Sequence, residues 1–280
     1  MKMSVKGFDV LVINGEIDLS VRNVTPLTIG AGRKPLDPIA PDIPLLLDSM
    51  GRPVIPGSTL KGFFRGNIER ALLAYGVTSA SQIIEDIFGK SVGEAWGSHM
   101  FFMDAYVEGE YKIMSRQHIM INPRTQGVQH GPFEQEYVVE NTLFRSKIYF
   151  RNMPLSLLSL LELAVNLANL GIARLGRSKS RGYGQITIDF NDVKVLFIGN
   201  FIEKTKVTYT IDISKGENRV LKPIEVEVFK WDKNVRVKDN YTPNGLDGKV
   251  LKELPFGILC SFTWDSIKKS LSDVLNELKG

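Results

Sequence analysis

Apolar and polar residues alternate over Glu16–Asn23 (Glu-Ile-Asp-Leu-Ser-Val-Arg-Asn), the two-residue period of a half-buried strand. Thr25-Pro-Leu-Thr-Ile-Gly30 follows. Pro35, Pro38, Pro41 and Pro44 then remove backbone donors so densely that residues 31–53 are predicted to be a loop, one carrying Asp37, Asp42 and Asp48. The period changes to three and four at Leu60, Phe64, Ile68, Ala71, Leu72 and Tyr75, which predicts a helix over about 58–75. Glu69 stands four residues from Arg65, the spacing of a helical ion pair. Ser81–Ile87 predicts a second short helix ending at Phe88-Gly89, and Met100–Val107 a strand. Residues 111–135 are polar and rich in turn formers, the composition of a projecting hairpin. Glu136–Arg151 returns as one long strand, Leu155–Leu170 is an apolar helix closed by Gly171, and Gln185–Phe197 is the next strand.

Strand, helix, strand, strand, helix, strand is the order of an α+β, ferredoxin-like (RRM-like) βαββαβ core, whose antiparallel sheet carries both helices on one face. Residues 1–199 hold this core, with an acidic loop (31–53) and a thumb-like insertion (111–135). Residues 200–280 add strands at about 206–213 and 223–231 and a helix over 264–278, a C-terminal α/β extension packed on the core.

Composition narrows the function. Hydrophobic residues at 43% and charged residues at 24% suit a globular chain of 280 residues, and a net charge of +4 is mildly basic. Any nucleic-acid role must therefore rest on where the cations sit. One cysteine, Cys260, excludes an intrachain disulfide, and His99, His118 and His130 show no metal-ligand spacing, so no structural metal site is expected. The N-terminus lacks the apolar core of a signal peptide and no run approaches membrane-spanning length, so the chain is read as cytoplasmic with no membrane partner.

Two cationic segments remain. In Val54-Ile-Pro-Gly-Ser-Thr-Leu-Lys-Gly-Phe-Phe-Arg65 a Pro-Gly break opens a helix at Ser58, with Lys61 and Arg65 one turn apart. Unpaired N–H groups and the helix dipole make such a start a seat for phosphate. In Leu175-Gly-Arg-Ser-Lys-Ser-Arg-Gly-Tyr-Gly-Gln185, Arg177, Lys179 and Arg181 alternate with small residues, so a backbone can approach phosphates while cations neutralise them. Both are expected on one surface, cradling a nucleic-acid backbone. Tyr183 is read either as core or as a base-stacking ring. Phe88-Gly-Lys-Ser91 is no ATPase phosphate loop, because Ile84 stands where its first glycine is required. No groove-reading helix and no nucleophile–base arrangement is evident.

Ile55–Arg65 and Gly176–Gly184, with Thr25–Gly30, Ile87–Gly89 and the polar hairpin leading into Phe133-Glu-Gln-Glu136, resemble the RAMP (repeat-associated mysterious protein) superfamily of CRISPR systems. The resemblance spans roughly residues 16–198 and points to a backbone subunit of a type III RNA-guided interference complex. It implies guide CRISPR RNA, target RNA, other subunits and copies of the chain itself as partners. It implies RNA contacts from Ser58, Lys61, Arg65, Arg124, Arg177, Lys179 and Arg181, and a thumb over 111–135. It places target-RNA cutting on Asp42, with Asp37 and Asp48 as alternates, and Mg²⁺ or a similar divalent ion at Asp42 as cofactor. The chain departs from the pattern at Thr28, where relatives often carry histidine. Three other readings stay open: a non-catalytic scaffold or end cap of the same complex, a guide-RNA-processing endoribonuclease using His118 or His130, and an interaction protein with no RNA role.

Overall fold

The computed structural model describes residues 13–32, 40–90, 97–153, 155–198, 204–215, 218–229, 248–254, 257–268 and 273–274. Strand β1 (Ile13–Asn23) runs through the middle of the principal sheet. Its alternation puts Ile13, Ile17, Leu19 and Val21 into the core at no more than 1% exposure. On one side it pairs with β7 (Leu143–Arg151), on the other with β8 (Ile186–Ile198), both antiparallel. β2 (Val54–Ile55) leads into α1 (Gly57–Ala74) and α2 (Ala80–Phe88). β3 (Met100–Phe102) and β4 (Ala105–Glu108) both pair with β7, and β2 pairs with β4. β5 (Ile113–Ile121) and β6 (Val128–Val138) form a separate two-stranded hairpin. After β7 come α3 (Leu155–Leu158), α4 (Leu161–Asn169), a 3-10 turn at Lys179–Arg181 and β8.

β9 (Lys204–Lys215) and β10 (Asn218–Phe229) make a second two-stranded ladder. β11 (Gly248–Leu254) and β12 (Gly257–Thr263) extend the principal sheet beyond β8, and α5 (Trp264–Ile267) follows. Among the described residues the principal sheet therefore reads β11-β12-β8-β1-β7-β4-β2, with β3 also on β7. The fold is mixed α+β with an antiparallel sheet.

Leu60, Phe64, Ile68 and Leu72 of α1 and Leu161, Ala164 and Ala168 of α4 are buried with the apolar face of β1. The opposite sheet face is a ladder of charges. Glu16 holds Lys147 (2.9 Å) and Lys194 (3.1 Å), Asp18 lies 3.5 Å from Lys147, and Glu108 holds Arg145 at 2.7 Å. Burial raises the Glu16 pKa, but the two lysines outweigh it and hold the carboxyl below its ordinary value.

Five expectations need correcting. The strand expected over 136–151 breaks between Val138 and Leu143, where Asn141 takes φ 65°. The side chain of Asn23 organises that break: it donates to the carbonyls of Val138 and Val139 and accepts from the N–H of Thr142. The strand expected over 100–107 is divided between β3 and β4. The helix expected over 155–170 is divided by a turn at Ser159-Leu160, although Gly171 closes it at φ 73° as expected. Glu69 does not pair with Arg65; it accepts a hydrogen bond from Ser81 (2.6 Å), because α2 packs beside α1. Of the helix expected over 264–278, α5 covers 264–267 and ends where Lys268 turns extended, Asp273–Val274 is helical, and the rest lies outside the described residues.

Candidate nucleic-acid interface

The start of α1 is built by a close approach. A Cβ on Gly57 would lie 2.0 Å from the carbonyl oxygen of Phe102, so only glycine lets the helix begin against the β3–β4 junction. The cap comes from that junction as well: Asp104 accepts the N–H of Gly57 at 2.7 Å. The N–H groups of Thr59 and Leu60 turn back to the carbonyl of Pro56. The expected backbone seat for phosphate is thus largely filled from within, and Ser58 makes no side-chain cap. What α1 offers to an anion is side chains. Ser58 is exposed, and Lys61 has no ion-pair partner among the described residues. Burial, and then the charge of Arg65, push the Lys61 pKa down. Arg65 donates to the carbonyl of Gly89 at 3.2 Å, tying the Ile87-Phe-Gly89 segment to the helix.

The second cationic element is a compact turn. Gly176 takes φ 82°, and a Cβ there would meet the carbonyl oxygen of Thr28 at 2.4 Å. The N–H of Arg177 donates to that carbonyl (2.9 Å), and Leu175 and Gly184 close the turn through a 2.8 Å bond. Arg177, Lys179 and Arg181 are all exposed, and none has a carboxylate partner among the described residues. Tyr183 is 1% exposed, which settles it as core.

The turn packs against the middle of the β5–β6 hairpin. Arg181 lies over the ring of Phe133 (5.3 Å), Phe133 stacks on His118 (5.5 Å, 27°), and His118 meets Tyr183 (5.9 Å). Arg116 covers both Tyr137 and Tyr183. Burial, then Arg181 and Arg116, hold the His118 imidazole below its ordinary pKa. At the far end of the hairpin Asn122 caps a tight turn by accepting the N–H of Arg124 (2.8 Å), and Arg124 is exposed at the tip. Ile119, Ile121 and Val128 near it are more than half exposed, so the tip is apolar as well as cationic.

The acidic loop docks on the same strand. Ile43 pairs with Gln135, the N–H of Leu45 donates to Glu136 (2.9 Å), and Asp42 accepts the N–H of Glu134 at 3.0 Å. Asp48 is engaged differently: it accepts the N–H groups of Met50 and Arg52 and the Arg52 guanidinium, all at 2.9 Å, within its own turn. Those bonds, the Arg52 N–H foremost, hold its carboxyl below the ordinary range. Asp37 and the side chain of His130 lie outside the described residues.

β6 is therefore the common mount for the basic turn, the hairpin and the Asp42 loop. α1 is joined to them only through intermediate segments. Leu46 N–H meets Ile29 and Val54 N–H meets Leu46, and no hydrogen bond or ion pair among the described residues links Lys61 or Arg65 directly to Arg177, Lys179 or Arg181. Thr28 is fully buried and hydrogen-bonded, so it is a structural residue here. Sequence reasoning missed Asp104, Arg116 and Gln135. Arg116 had a signal, a cation in a polar, turn-rich hairpin, whereas the other two are defined only by distant partners.

An α+β chain that mounts a cationic turn, a projecting hairpin and a carboxylate loop on one strand has the layout of a protein that handles a polyanion. The profile of the RAMP superfamily matches residues 21–187, more than half of the chain. The protein belongs to that superfamily. It is 26% identical over 205 residues to the CRISPR system Cms endoribonuclease Csm3 of Methanocaldococcus jannaschii, covering 66% of this chain and 80% of that one. It also resembles a chain of the type III-B Cmr-beta complex in its apo state (TM-score 0.48, 14% identity, 62% of this chain and 96% of that one). A chain of Cmr-beta bound to cognate target RNA compares at TM-score 0.49 and 20% identity, over 63% of this chain and 60% of that one.

Proposed function

We propose that the protein is a guide-RNA-binding backbone subunit of a type III CRISPR interference complex, acting in the cytoplasm on target RNA held against the guide. The observation that carries this reading is the shared mount on β6: cations that lack carboxylate partners among the described residues stand beside a hairpin and a carboxylate that all rest on one strand. Membership of the RAMP superfamily and similarity to a protein named as a CRISPR endoribonuclease support it. The β8-β1-β7-β4 order with α1 and α4 is read as the ferredoxin-like core. Guide phosphates lie along Arg177, Lys179 and Arg181 and reach Ser58, Lys61 and Arg65. The hairpin carrying Arg124 enters between guide and target, and neighbouring subunits, copies of this chain among them, continue the track. Among the described residues no helix is long and apolar enough to cross a membrane.

Cutting is assigned to Asp42. Its carboxylate takes the proton of a target ribose 2′-hydroxyl, the 2′-oxygen attacks the adjacent phosphorus in line, and the bond to the 5′-oxygen breaks. The departing oxygen takes a proton from water, leaving a 2′,3′-cyclic phosphate and a 5′-hydroxyl. Among the described residues no group of three or more His, Cys, Asp or Glu is placed to hold a metal. A divalent ion such as Mg²⁺, where it takes part, would be held at Asp42 together with the RNA phosphates and would stabilise the charge developing on the phosphorus oxygens.

One observation favours a second reading, a non-catalytic scaffold: Asp42 already has a structural task in holding Glu134 N–H. Asp42→Asn keeps an acceptor for that bond and removes the charge, so it separates the two. In a reconstituted complex the variant is expected to load guide and bind target normally but to lose cutting. Undiminished cutting at every interval would establish the scaffold instead. Incubating the isolated chain with precursor repeat RNA tests guide processing, and no specific cleavage is expected, since His118 is stacked on Phe133 and packed at a tilt against Tyr183.

A further inference from the structure

Gln135 is fully buried in the middle of β6, yet it is polar, and both ends of its amide are used. The direction of those bonds follows from a neighbouring carbonyl. Thr28 Oγ1 donates its one proton to the carbonyl of Glu136 (2.7 Å), so toward Gln135 it can only accept, which places the amide Nε2 there at 2.9 Å. The amide oxygen then faces the basic turn and must accept, and Ser178 Oγ donates to it at 2.8 Å. The relay thus runs from Ser178 and Thr28 through the strand that also holds Asp42 by the N–H of Glu134.

Ser178 shows what the relay holds. It sits at φ 55°, ψ 31°, the left-handed region, and opens the 3-10 turn Lys179–Arg181. Gly176, Gly182 and Gly184 take left-handed φ in the same turn without a Cβ penalty, but Ser178 does so with a side chain. A non-glycine residue stays there only when its surroundings over-determine it. A buried amide without partners would be costly, and an apolar side chain would fill the same space; a fully satisfied polar network instead selects one arrangement.

We infer that Gln135 is a positioning residue: through Ser178 it sets where Lys179 and Arg181 stand relative to the hairpin and the Asp42 loop, so that a phosphate track meets them preformed. This rests on the reading of the chain as an RNA-backbone binder. The test uses the full chain, wild type and Gln135→Met, Ser178→Ala and the double variant, with a fluorescein-labelled single-stranded oligoribonucleotide titrated at several salt concentrations. Wild type is expected to bind with a steep salt dependence; failure to bind would sink the RNA reading itself and this inference with it. Ser178→Ala should weaken binding roughly fivefold, the size of one hydrogen bond. Gln135→Met should weaken it roughly tenfold and flatten the salt slope by about 0.7 for each phosphate released. The double variant should bind no more weakly than Gln135→Met alone, because both changes cut one relay. Losses that add in full, an unchanged salt slope, or unchanged binding in both single variants would overturn the inference. If Gln135→Met melts at a markedly lower temperature, Ser178→Ala, a half-exposed position, decides alone through its affinity and slope.

Discussion

Alanine at two of the glycines of helix α1, Gly57 and Gly62, should move stability in opposite directions. At Gly57 the added Cβ would sit 2.0 Å from the carbonyl oxygen and 2.7 Å from the carbonyl carbon of Phe102, where ordinary contact begins at 3.4 Å. Helix and β3–β4 junction would have to part by more than 1 Å, roughly the difference between those contacts. That movement carries Asp104 away from the N–H of Gly57, which it holds at 2.7 Å. Loss of a cap costs about 1 kcal/mol, and overpacking adds about 1–3 kcal/mol. Together these make about 2–4 kcal/mol, or a fall in Tm of roughly 5–15 °C for a chain of this size. Gly62 is the control, since an added Cβ there meets nothing within 4 Å. Gly62→Ala removes backbone freedom from a helix interior and should stabilise by about 0.5–1 kcal/mol. Thermal and urea melting of the two variants measure both signs. A Gly57→Ala protein that melts like wild type, or a Gly62→Ala protein that melts lower, would refute the packing argument. RNA binding adds a second readout. Gly62 is exposed beside Lys61, so if the phosphate track passes over α1, Gly62→Ala should be more stable and bind RNA more weakly. Unchanged affinity would remove α1 from the track.

Four further outcomes are expected. Arg65→Ala should cost about 0.5–1.5 kcal/mol by releasing Gly89, whereas Lys61→Ala should leave melting unchanged and reduce only the RNA salt slope, so a Lys61→Ala protein with wild-type slope would exclude that lysine from phosphate contact. Asp48→Ala should loosen the 48–52 turn without abolishing target cutting; lost cutting in a folded, guide-loaded complex would move the reaction from Asp42 to Asp48. Because Glu16 is held below its ordinary value of 4.5 by Lys147 and Lys194, its stabilisation is complete above that pH and disappears as pH falls through the lower, folded-state value. Acid unfolding curves should therefore be shallower for Glu16→Gln than for wild type, and superimposable curves would show that the ladder adds nothing. Asp104→Ala should destabilise by about 1 kcal/mol and Asp104→Asn by much less, since asparagine also caps, and equal losses in urea melting would contradict the cap.

Much of this protein was legible without coordinates wherever the physics is local. Apolar residues at period two placed β1, the strand expected over 185–197 matches β8, and the three–four spacing of Leu60, Phe64, Ile68 and Leu72 placed α1 to within a residue at each end. The Pro-Gly break, the glycine-rich cationic turn and the turn-rich hairpin were also visible, because each depends on backbone conformations that neighbouring residues set among themselves. Tertiary packing decided the partners. Asp104 caps α1 from 47 positions away, Gln135 reaches Thr28 across 107 and Ser178 across 43, and Asn23 breaks the strand near Asn141 from more than a hundred. Glu69 had a good local partner in Arg65 and took Ser81 instead once α2 lay beside it. Periodicity declares which face of a segment is buried, but a hydrogen bond is directional and short, so its partner is chosen only when distant segments are held within about 3 Å of each other. The cations and carboxylates were there to be read along the chain; that the turn, the hairpin and Asp42 share one strand is a property of the folded molecule.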